Sequence, residues 1–235
     1  MRRFGDRFAQ PDAFCMIELG VGGGDLIELV SSAGEAAGQH QAVATPSCIP
    51  AGMHPRVSNI VAVVQVSCSL SLRLLGDRIS NSEYNPRRFG ALIVRIKEPK
   101  TTAMVYPNGK MIITGARSME HLHQASRLYV RAIKKAGYPD CTVLSMPRVA
   151  NMVASCNLLS PLRLEALHLA LGGSDGGSQY DTEVFPAIIY RLCEPEVTFM
   201  IFSSGNINIM GAKSYPDIVA ALEKMLAVIL LYRRD

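Results

Sequence analysis

Aromatic and basic side chains are the residues of this chain whose type and spacing indicate chemistry. Phe89 lies seventeen residues before Tyr106, and Phe185 lies seventeen residues before Phe202. The basic residues around the first pair are Arg87, Arg88, Arg95, Lys97, Lys100, Lys110 and Arg117. Exposed aromatic rings can stack on nucleic-acid bases while neighbouring cations attract phosphates, although a Phe on a strand is also an ordinary core residue. The pattern indicates noncovalent binding of a polyanion if the rings are exposed.

Residue types that perform covalent or metal chemistry are not grouped in the sequence. The five histidines do not cluster with cysteines or acids at ligand spacing, and the six cysteines contain no C-x-x-C pair. Ser, Cys and Lys residues lack any recognisable nucleophile motif. The glycines of residues 20–24 are not followed by the Gly-Lys-Ser/Thr of a phosphate loop. We therefore predict no enzyme, no metal site and no cofactor.

A sequence repeat organises the aromatic and basic residues. Residues 89–118 align with residues 185–214 without a gap, and thirteen of the thirty positions are identical. Two copies are too few for a solenoid, so the repeat predicts one pseudo-twofold domain. Short apolar runs ending at turn residues predict three strands in each copy. In the last strand of the first copy, alternation places Lys110, Ile112 and Thr114 on an exposed face and Met111, Ile113 and Gly115 on the other.

Further elements flank these strands. Apolar runs at residues 58–64 and 150–156 predict one more strand in each half, and short helices are expected near Leu70–Ser80 and Pro161–Leu171. A longer helix is predicted from Ser118, its N-cap, to Gly137, and a second one from Ser214 to Leu231. The first helix places an apolar stripe on one face. Its members are Leu122, Ala125, Tyr129, Ile133 and Ala136.

Charge and composition divide the chain into three parts. Residues 1–55, rich in Gly, Ala and Ser, are predicted to form a largely flexible N-terminal arm. Residues 56–139 carry fourteen Lys and Arg against four Asp and Glu, whereas residues 140–235 carry seven against ten. The basic half is typical of a polyanion-binding surface, although solvated faces are also charged. No apolar window reaches eighteen residues, so no membrane span is expected.

Distinctive motifs occur in both halves. The first half contains Glu83-Tyr84-Asn85-Pro86-x-Arg88-Phe89, Arg95-Ile96-x-Glu98-Pro99-Lys100 and Thr114-Gly115-Ala116. The second contains Phe185-Pro186, Ile189-Tyr190-Arg191 and Gly211-Ala212-Lys213. With these motifs, the chain from about Arg56 onward resembles the TATA-box-binding protein (TBP) family, including its divergent TBP-related factors. The resemblance implies an α+β fold, a pseudo-twofold saddle in which repeats 56–139 and 140–235 form one curved antiparallel sheet with helices on the convex face.

The resemblance also implies roles for individual residues. The DNA-intercalating aromatics would be Phe89, Tyr106, Phe185 and Phe202. The minor-groove contacts would be Asn59, Val61, Met104, Ile112, Thr114, Asn151, Val153, Met200, Asn208 and Met210. The phosphate contacts would be Arg88, Arg95, Lys110, Arg117, Arg191 and Lys213. The partner-binding residues would be Asp181, Glu183 and Val184 toward transcription factor IIB, and Arg127, Arg131, Lys134 and Lys135 toward acidic partners or nucleic acid.

A general transcription initiation factor is the function that the resemblance implies. Such a nuclear factor binds and bends promoter DNA through the minor groove and nucleates a preinitiation complex with factors of the IIA and IIB type. Two alternatives stay open: a TBP-like scaffold recruited by protein partners with little TATA selectivity, and an RNA binder that stacks bases on its sheet. Several departures from the family pattern favour weaker or less selective TATA binding. They are Tyr106, Glu194, Glu196, Asn206, Asn208 and Met210.

Overall fold

The computed structural model describes residues 49–50, 52–172 and 177–234. These residues belong to one compact unit, Pro46–Asp235. Most of the predicted arm lies outside the described residues, as does the centre of the glycine-rich loop before Ser178. Ile49 is buried within the core ahead of the first strand. No helix in the described part of the chain combines the length and the apolar character needed to cross a bilayer.

Ten antiparallel strands form a single sheet in the described part of the chain. The strands are β1 (Arg56–Gln65), β2 (Ser82–Glu83), β3 (Leu92–Ile96), β4 (Thr101–Val105), β5 (Lys110–Ala116), β6 (Arg148–Asn157), β7 (Ser178–Asp181), β8 (Phe185–Leu192), β9 (Val197–Phe202) and β10 (Asn206–Ala212). Their order across the sheet is β2-β3-β4-β5-β1-β6-β10-β9-β8-β7. The order reads the same from either edge once each strand is replaced by its equivalent in the other half. This arrangement confirms the predicted pseudo-twofold α+β fold.

The pseudo-twofold axis passes between the two central strands. Ile60 of β1 pairs with Met152 of β6, and this pair is flanked by Asn59 with Val153 and by Val61 with Asn151. Because β1 and β6 are hydrogen-bonded neighbours, the two repeats share one sheet. The edge strands β2 and β7 have no counterpart among the predicted elements.

Among the residues that the structure describes, four helices cover one face of the sheet. They are α1 (Leu72–Arg78), α2 (Met119–Lys135), α3 (Leu164–Ala170) and α4 (Tyr215–Leu230). Ser118 caps α2 as predicted, since its Oγ accepts a hydrogen bond from His121 N at 3.1 Å. Ser214 caps α4 in the same way through Asp217 N at 3.3 Å. The predicted stripe of α2 is buried against the strands, which confirms the face that packs on the sheet.

Strand alternation separates the core from an open face. In β1, Ile60, Ala62 and Val64 belong to the core cluster, while the residues between them do not. In β5, Met111 and Ile113 are buried in the core as predicted. Gly115 corrects the predicted alternation: it is exposed, has a φ of 98°, and forms a bulge beyond which Ala116 takes the core position. Alternation alone placed Gly115 on the core face because it assumes an unbroken period of two.

Burial of a tyrosine hydroxyl under the sheet makes stability depend on pH. Tyr129 of α2 is buried, and its Oη lies 3.0 Å from Thr101 Oγ1. Burial raises the pKa of Tyr129 from 10.0 to about 12. The unfolded chain therefore loses this proton first as pH rises, and the free energy of unfolding falls between those two pH values.

We predict that Tyr129→Phe lowers the free energy of unfolding by about 1 kcal/mol at neutral pH, because the hydrogen bond is lost. Above about pH 10 the variant should lose stability with a shallower slope than the native chain, since it lacks the ionising group. Urea unfolding of both proteins over this pH range measures the two slopes. Parallel slopes would contradict the prediction.

Candidate nucleic-acid interface

The open face consists of the sheet side chains that point away from the helices. In the first half, the strand register aligns Ile93, Met104, Ile112 and Val63 in one row across β3, β4, β5 and β1. A second row aligns Arg95, Thr102 and Thr114. The apolar row runs from β3, near one edge of the sheet, to β1 at its centre. Its side chains form a mostly aliphatic surface.

The second half repeats these rows with altered residues. The equivalent of the apolar row is Ile189, Met200, Asn208 and Ser155, and the equivalent of the second row is Arg191, Thr198 and Met210. Asn208 and Ser155 therefore replace two aliphatic side chains with polar ones. The predicted contact residues all lie on this face, but Val61 and Met200 are only 9% and 6% exposed, so they offer little surface to a ligand.

Two asparagines lie on the open face beside the pseudo-twofold axis. Asn59 Oδ1 accepts hydrogen bonds from Gly115 N at 2.7 Å and from Thr114 Oγ1 at 3.3 Å. Asn151 Oδ1 accepts from Gly211 N at 2.9 Å. Each glycine is a bulge residue with positive φ, so its N–H turns toward the asparagine instead of toward the neighbouring strand. The bulges thus fix the orientation of each carboxamide, because the oxygen must point toward the glycine N–H.

The predicted aromatic pairs lie at the outer ends of the open face. The rings of Phe185 and Phe202 are in contact, with centroids 5.9 Å apart and planes 66° apart. Phe89, 36% exposed, follows the turn at Asn85, and Tyr106 is half-buried at the end of β4. Burial raises the pKa of Tyr106 above 10.0, so its hydroxyl is neutral at physiological pH. The exposure of Phe89 favours a binding role over a core role.

Cations flank the first half of the open face more densely than the second. Arg88, Arg95 and Arg117 are exposed, and Lys110 is half-buried at the start of β5. Arg95 Nη1 lies 3.5 Å from Glu83 Oε2 in an exposed ion pair, which contributes little to stability. In the second half, Arg191 and Lys213 are exposed. The β3–β4 turn carries Lys97 and Lys100, whereas the equivalent β8–β9 positions are Cys193 and Glu196.

The family described as "Transcription factor TFIID (or TATA-binding protein, TBP)" matches residues 54–136 and 146–232. The chain belongs to the TATA-binding protein family. It is 41% identical over 186 residues to "TATA-box-binding protein 1" of Triticum aestivum, covering 79% of this chain and 78% of that protein. Members of this family are transcription factors and not enzymes, and the same holds for this chain.

Other TBP relatives agree with this assignment. The chain is 40% identical over 183 residues to "TATA-box-binding protein" of Xenopus tropicalis, covering 78% of this chain and 60% of the frog protein. It is 39% identical over 184 residues to "TATA box-binding protein-like 2" of Takifugu rubripes, covering 78% of this chain and 56% of the fish protein. The solved structure of "Methanococcus jannaschii TBP" superposes with a TM-score of 0.65 at 30% identity, covering 76% of this chain and 99% of the archaeal one.

The predicted partner-binding residues of this TBP-family chain lie on two separate surfaces. Asp181 ends β7, and Glu183 and Val184 follow it in the turn before β8; all three are exposed, and Asp181 Oδ1 accepts from Glu183 N at 3.0 Å. The side chain of Val184 is 80% exposed. The four predicted cations of α2 are also exposed, on the side of the helix opposite its buried stripe: Arg127, Arg131, Lys134 and Lys135.

A polar network at the end of the second half was not predicted. Asn157 Nδ2 donates to Asn206 Oδ1, and Asn206 Nδ2 donates to Ser204 Oγ at 3.1 Å. Leu159 N donates to Asn157 Oδ1 at 2.6 Å. Asn206 stood out as a departure from the family pattern, but its partners become visible only when the register of β6 and β10 is known. Ser155 was missed for the same reason.

The two bulge glycines allow a matched test of the geometry that holds the asparagines. Their φ values are nearly equal, 98° at Gly115 and 99° at Gly211. An added methyl group would lie 2.9 Å from the carbonyl oxygen of Lys100 at Gly115, but 3.5 Å from that of Glu196 at Gly211. The two positions therefore share backbone strain and differ in steric contact.

We predict that Gly115→Ala lowers the free energy of unfolding more than Gly211→Ala does. Both variants should lose about 1–2 kcal/mol from the left-handed conformation, and Gly115→Ala should lose more because its methyl group presses on backbone. Urea denaturation of the two variants and the native chain measures the difference. An equal or reversed order would show that the contact with Lys100 relaxes freely.

Proposed function

We propose that this chain binds promoter DNA along the minor groove with its open face, bends the duplex, and nucleates assembly of a transcription preinitiation complex in the nucleus. The observation that carries the proposal is the duplicated open face, with a central asparagine in each half and an aromatic pair at each outer end. Membership of the TBP family supports the same function.

The chemistry of the open face suits the minor groove of A·T-rich DNA. There, A·T and T·A pairs present only acceptors, whereas G·C adds the amino group of guanine. Ile112 and Val63 provide no hydrogen-bond partner for that amino group, so a buried G·C pair would be penalised in the first half. Because Asn59 and Asn151 accept with their oxygens from the bulges, the NH₂ ends of their carboxamides are oriented to serve base acceptors at the centre of the site.

The aromatic pairs supply the bend. A ring wedged between two base pairs unstacks them at a cost of about a few kcal/mol per step, which the wider apolar contact of a bent duplex offsets. Two pairs at opposite ends of one sheet would produce two kinks separated by the central contacts. The neutral hydroxyl of Tyr106 adds a polar atom to the wedge in the first half.

Electrostatic attraction positions the duplex. The six predicted phosphate contacts would give a slope of roughly −5 in a plot of log K against log salt. Four of them belong to the first half: Arg88, Arg95, Lys110 and Arg117. The second half, with more acids than bases, contributes less, so its hold on the duplex depends more on shape and base contacts.

Partner docking uses surfaces outside the open face. Asp181, Glu183 and Val184 form an acidic turn with an apolar tip that suits a factor of the IIB type with basic residues around an apolar pocket. The cationic side of α2 suits a factor of the IIA type with an acidic surface, or DNA beside the site. Both surfaces remain accessible while the open face is occupied, because they lie at its edge and on the helix-covered side.

Removing one aromatic pair tests the bending function. We predict that Phe185→Ala combined with Phe202→Ala weakens binding to an A·T-rich duplex by about tenfold or more, since base–aromatic stacking is worth about 1–3 kcal/mol per base. The end-to-end distance of a fluorescently labelled duplex should lengthen toward that of free DNA. Leu169→Ala, at a 75% exposed side chain on α3, is the matched control and should leave both readings unchanged.

A native degree of bending by the double aromatic variant would contradict the intercalation mechanism. Preinitiation-complex assembly that survives loss of bending would favour the protein-recruited scaffold over direct DNA reading.

Introducing a charge at the apolar tip of the acidic turn tests partner docking. We predict that Val184→Glu weakens binding of a transcription factor IIB-type protein by about tenfold, because a carboxylate would be buried in an apolar contact. Its stability and DNA bending should match the native chain, since the side chain is exposed. Leu169→Glu, equally exposed on α3, should bind the factor normally; equal loss in both variants would point to a general effect of charge.

A further inference from the structure

Within the apolar row of the open face, the two halves differ at one pair of cross-strand neighbours. Ile112 on β5 faces Val63 on β1 in the first half, and at the equivalent place Asn208 on β10 faces Ser155 on β6. The flanking members of the row do not change, since Ile93 and Met104 correspond to isoleucine and methionine in the second half. The inner end of this row is therefore apolar in the first half and polar in the second.

Hydrogen bonding separates this pair from the polar residues next to it. Asn157, Asn206 and Ser204 bind one another and the backbone of Leu159. The side chains of Asn208 and Ser155, both half-buried, make no hydrogen bond within the described part of the chain. Half-buried polar groups without a partner carry an energetic cost unless water or a ligand satisfies them. The pair is thus a donor and acceptor site on the open face whose hydrogen bonds are not used within the described part of the chain.

We propose that Asn208 and Ser155 make the second half of the site tolerant of a G·C base pair. This inference rests on the proposed minor-groove function. The exocyclic amino group of guanine is the one donor that distinguishes G·C from A·T in that groove. The carboxamide oxygen of Asn208 and the hydroxyl oxygen of Ser155 both accept such a donor, whereas Ile112 and Val63 accept none.

The same pair still permits A·T. The NH₂ group of Asn208 and the hydroxyl hydrogen of Ser155 donate to the acceptors that A·T pairs present, and rotation of the side chains exchanges the two roles. The second half is therefore degenerate between A·T and G·C at this step, while the first half selects A·T. A DNA site bound in this way requires A·T at this step in one half and accepts either A·T or G·C in the other half.

A pseudo-twofold protein makes this asymmetry measurable without knowing its orientation. On an A·T-rich duplex that is symmetric about its centre, either half of the protein can meet either half of the DNA. When one G·C pair lies between the centre and one kinked step, the protein can bind in the orientation that sets its second half against that pair. G·C pairs on both sides leave no such choice.

The experiment measures binding and bending of the full chain on four labelled duplexes: the A·T parent, two derivatives with one G·C pair on either side, and one with G·C on both sides. We expect the single derivatives to bind within about threefold of the parent and the double derivative to bind about tenfold or more weakly, the usual cost of a mismatched base pair. Asn208→Ile with Ser155→Val should bind the single derivatives about tenfold more weakly than it binds the parent itself, so the ratio of the two affinities measures the lost tolerance.

The converse variant, Ile112→Asn with Val63→Ser, serves as the matched gain-of-function control and should bind the double derivative nearly as well as the parent. The inference is overturned if the native chain loses equal affinity on the single and double derivatives, or if the Asn208→Ile Ser155→Val variant tolerates G·C as well as the native chain does. In either case, normal bending of the parent duplex leaves the proposed function standing. Failure to bind or bend the parent overturns both.

Discussion

The pairing of β1 with β6 is the interaction on which the rest of the structure depends. Each repeat has a sheet with one unpaired inner edge, and this pairing closes both edges at once by hydrogen-bonding them to each other. It also places Asn59 and Asn151 side by side at the centre of the open face. Because the two repeats are joined through strands and not through a flexible linker, the outer aromatic pairs are held at a set separation. A ligand that bound to both aromatic pairs at once would have to change its own shape to match this separation.

Strand alternation gives the two faces of the sheet different roles. Side chains on the helix-covered face build a core that contains residues from both repeats, whereas most side chains on the open face keep some exposure. The alternation is interrupted in each half by a positive-φ glycine, at Gly115 and Gly211, so that a backbone N–H reaches an asparagine oxygen. These two interruptions convert a plain sheet surface into one with an oriented polar centre.

The sequence allows much of this to be predicted. The repeat, the long helices with their Ser118 and Ser214 caps, and the buried stripe of α2 follow from local signals, because periodicity and capping are properties of short segments. The bulge at Gly115 does not follow from the sequence. A single residue in the left-handed conformation shifts which face each side chain takes, while the order of apolar and polar residues stays the same. The short strands β2 and β7 depend on neighbours already being in place, and the partners of Asn206 depend on strand register. The near burial of Val61 and Met200 likewise depends on how closely side chains crowd on the open face.

The separation of the two faces has an evolutionary consequence. Substitutions on the helix-covered face are limited by volume, because they must fill a packed interior, whereas those on the open face are limited only by what they recognise. One repeat can therefore change what its open face recognises while the other repeat keeps its own face, and the packed interior is left undisturbed. Ile112 and Asn208 hold equivalent places on that face, so a single polypeptide presents two versions of the same surface.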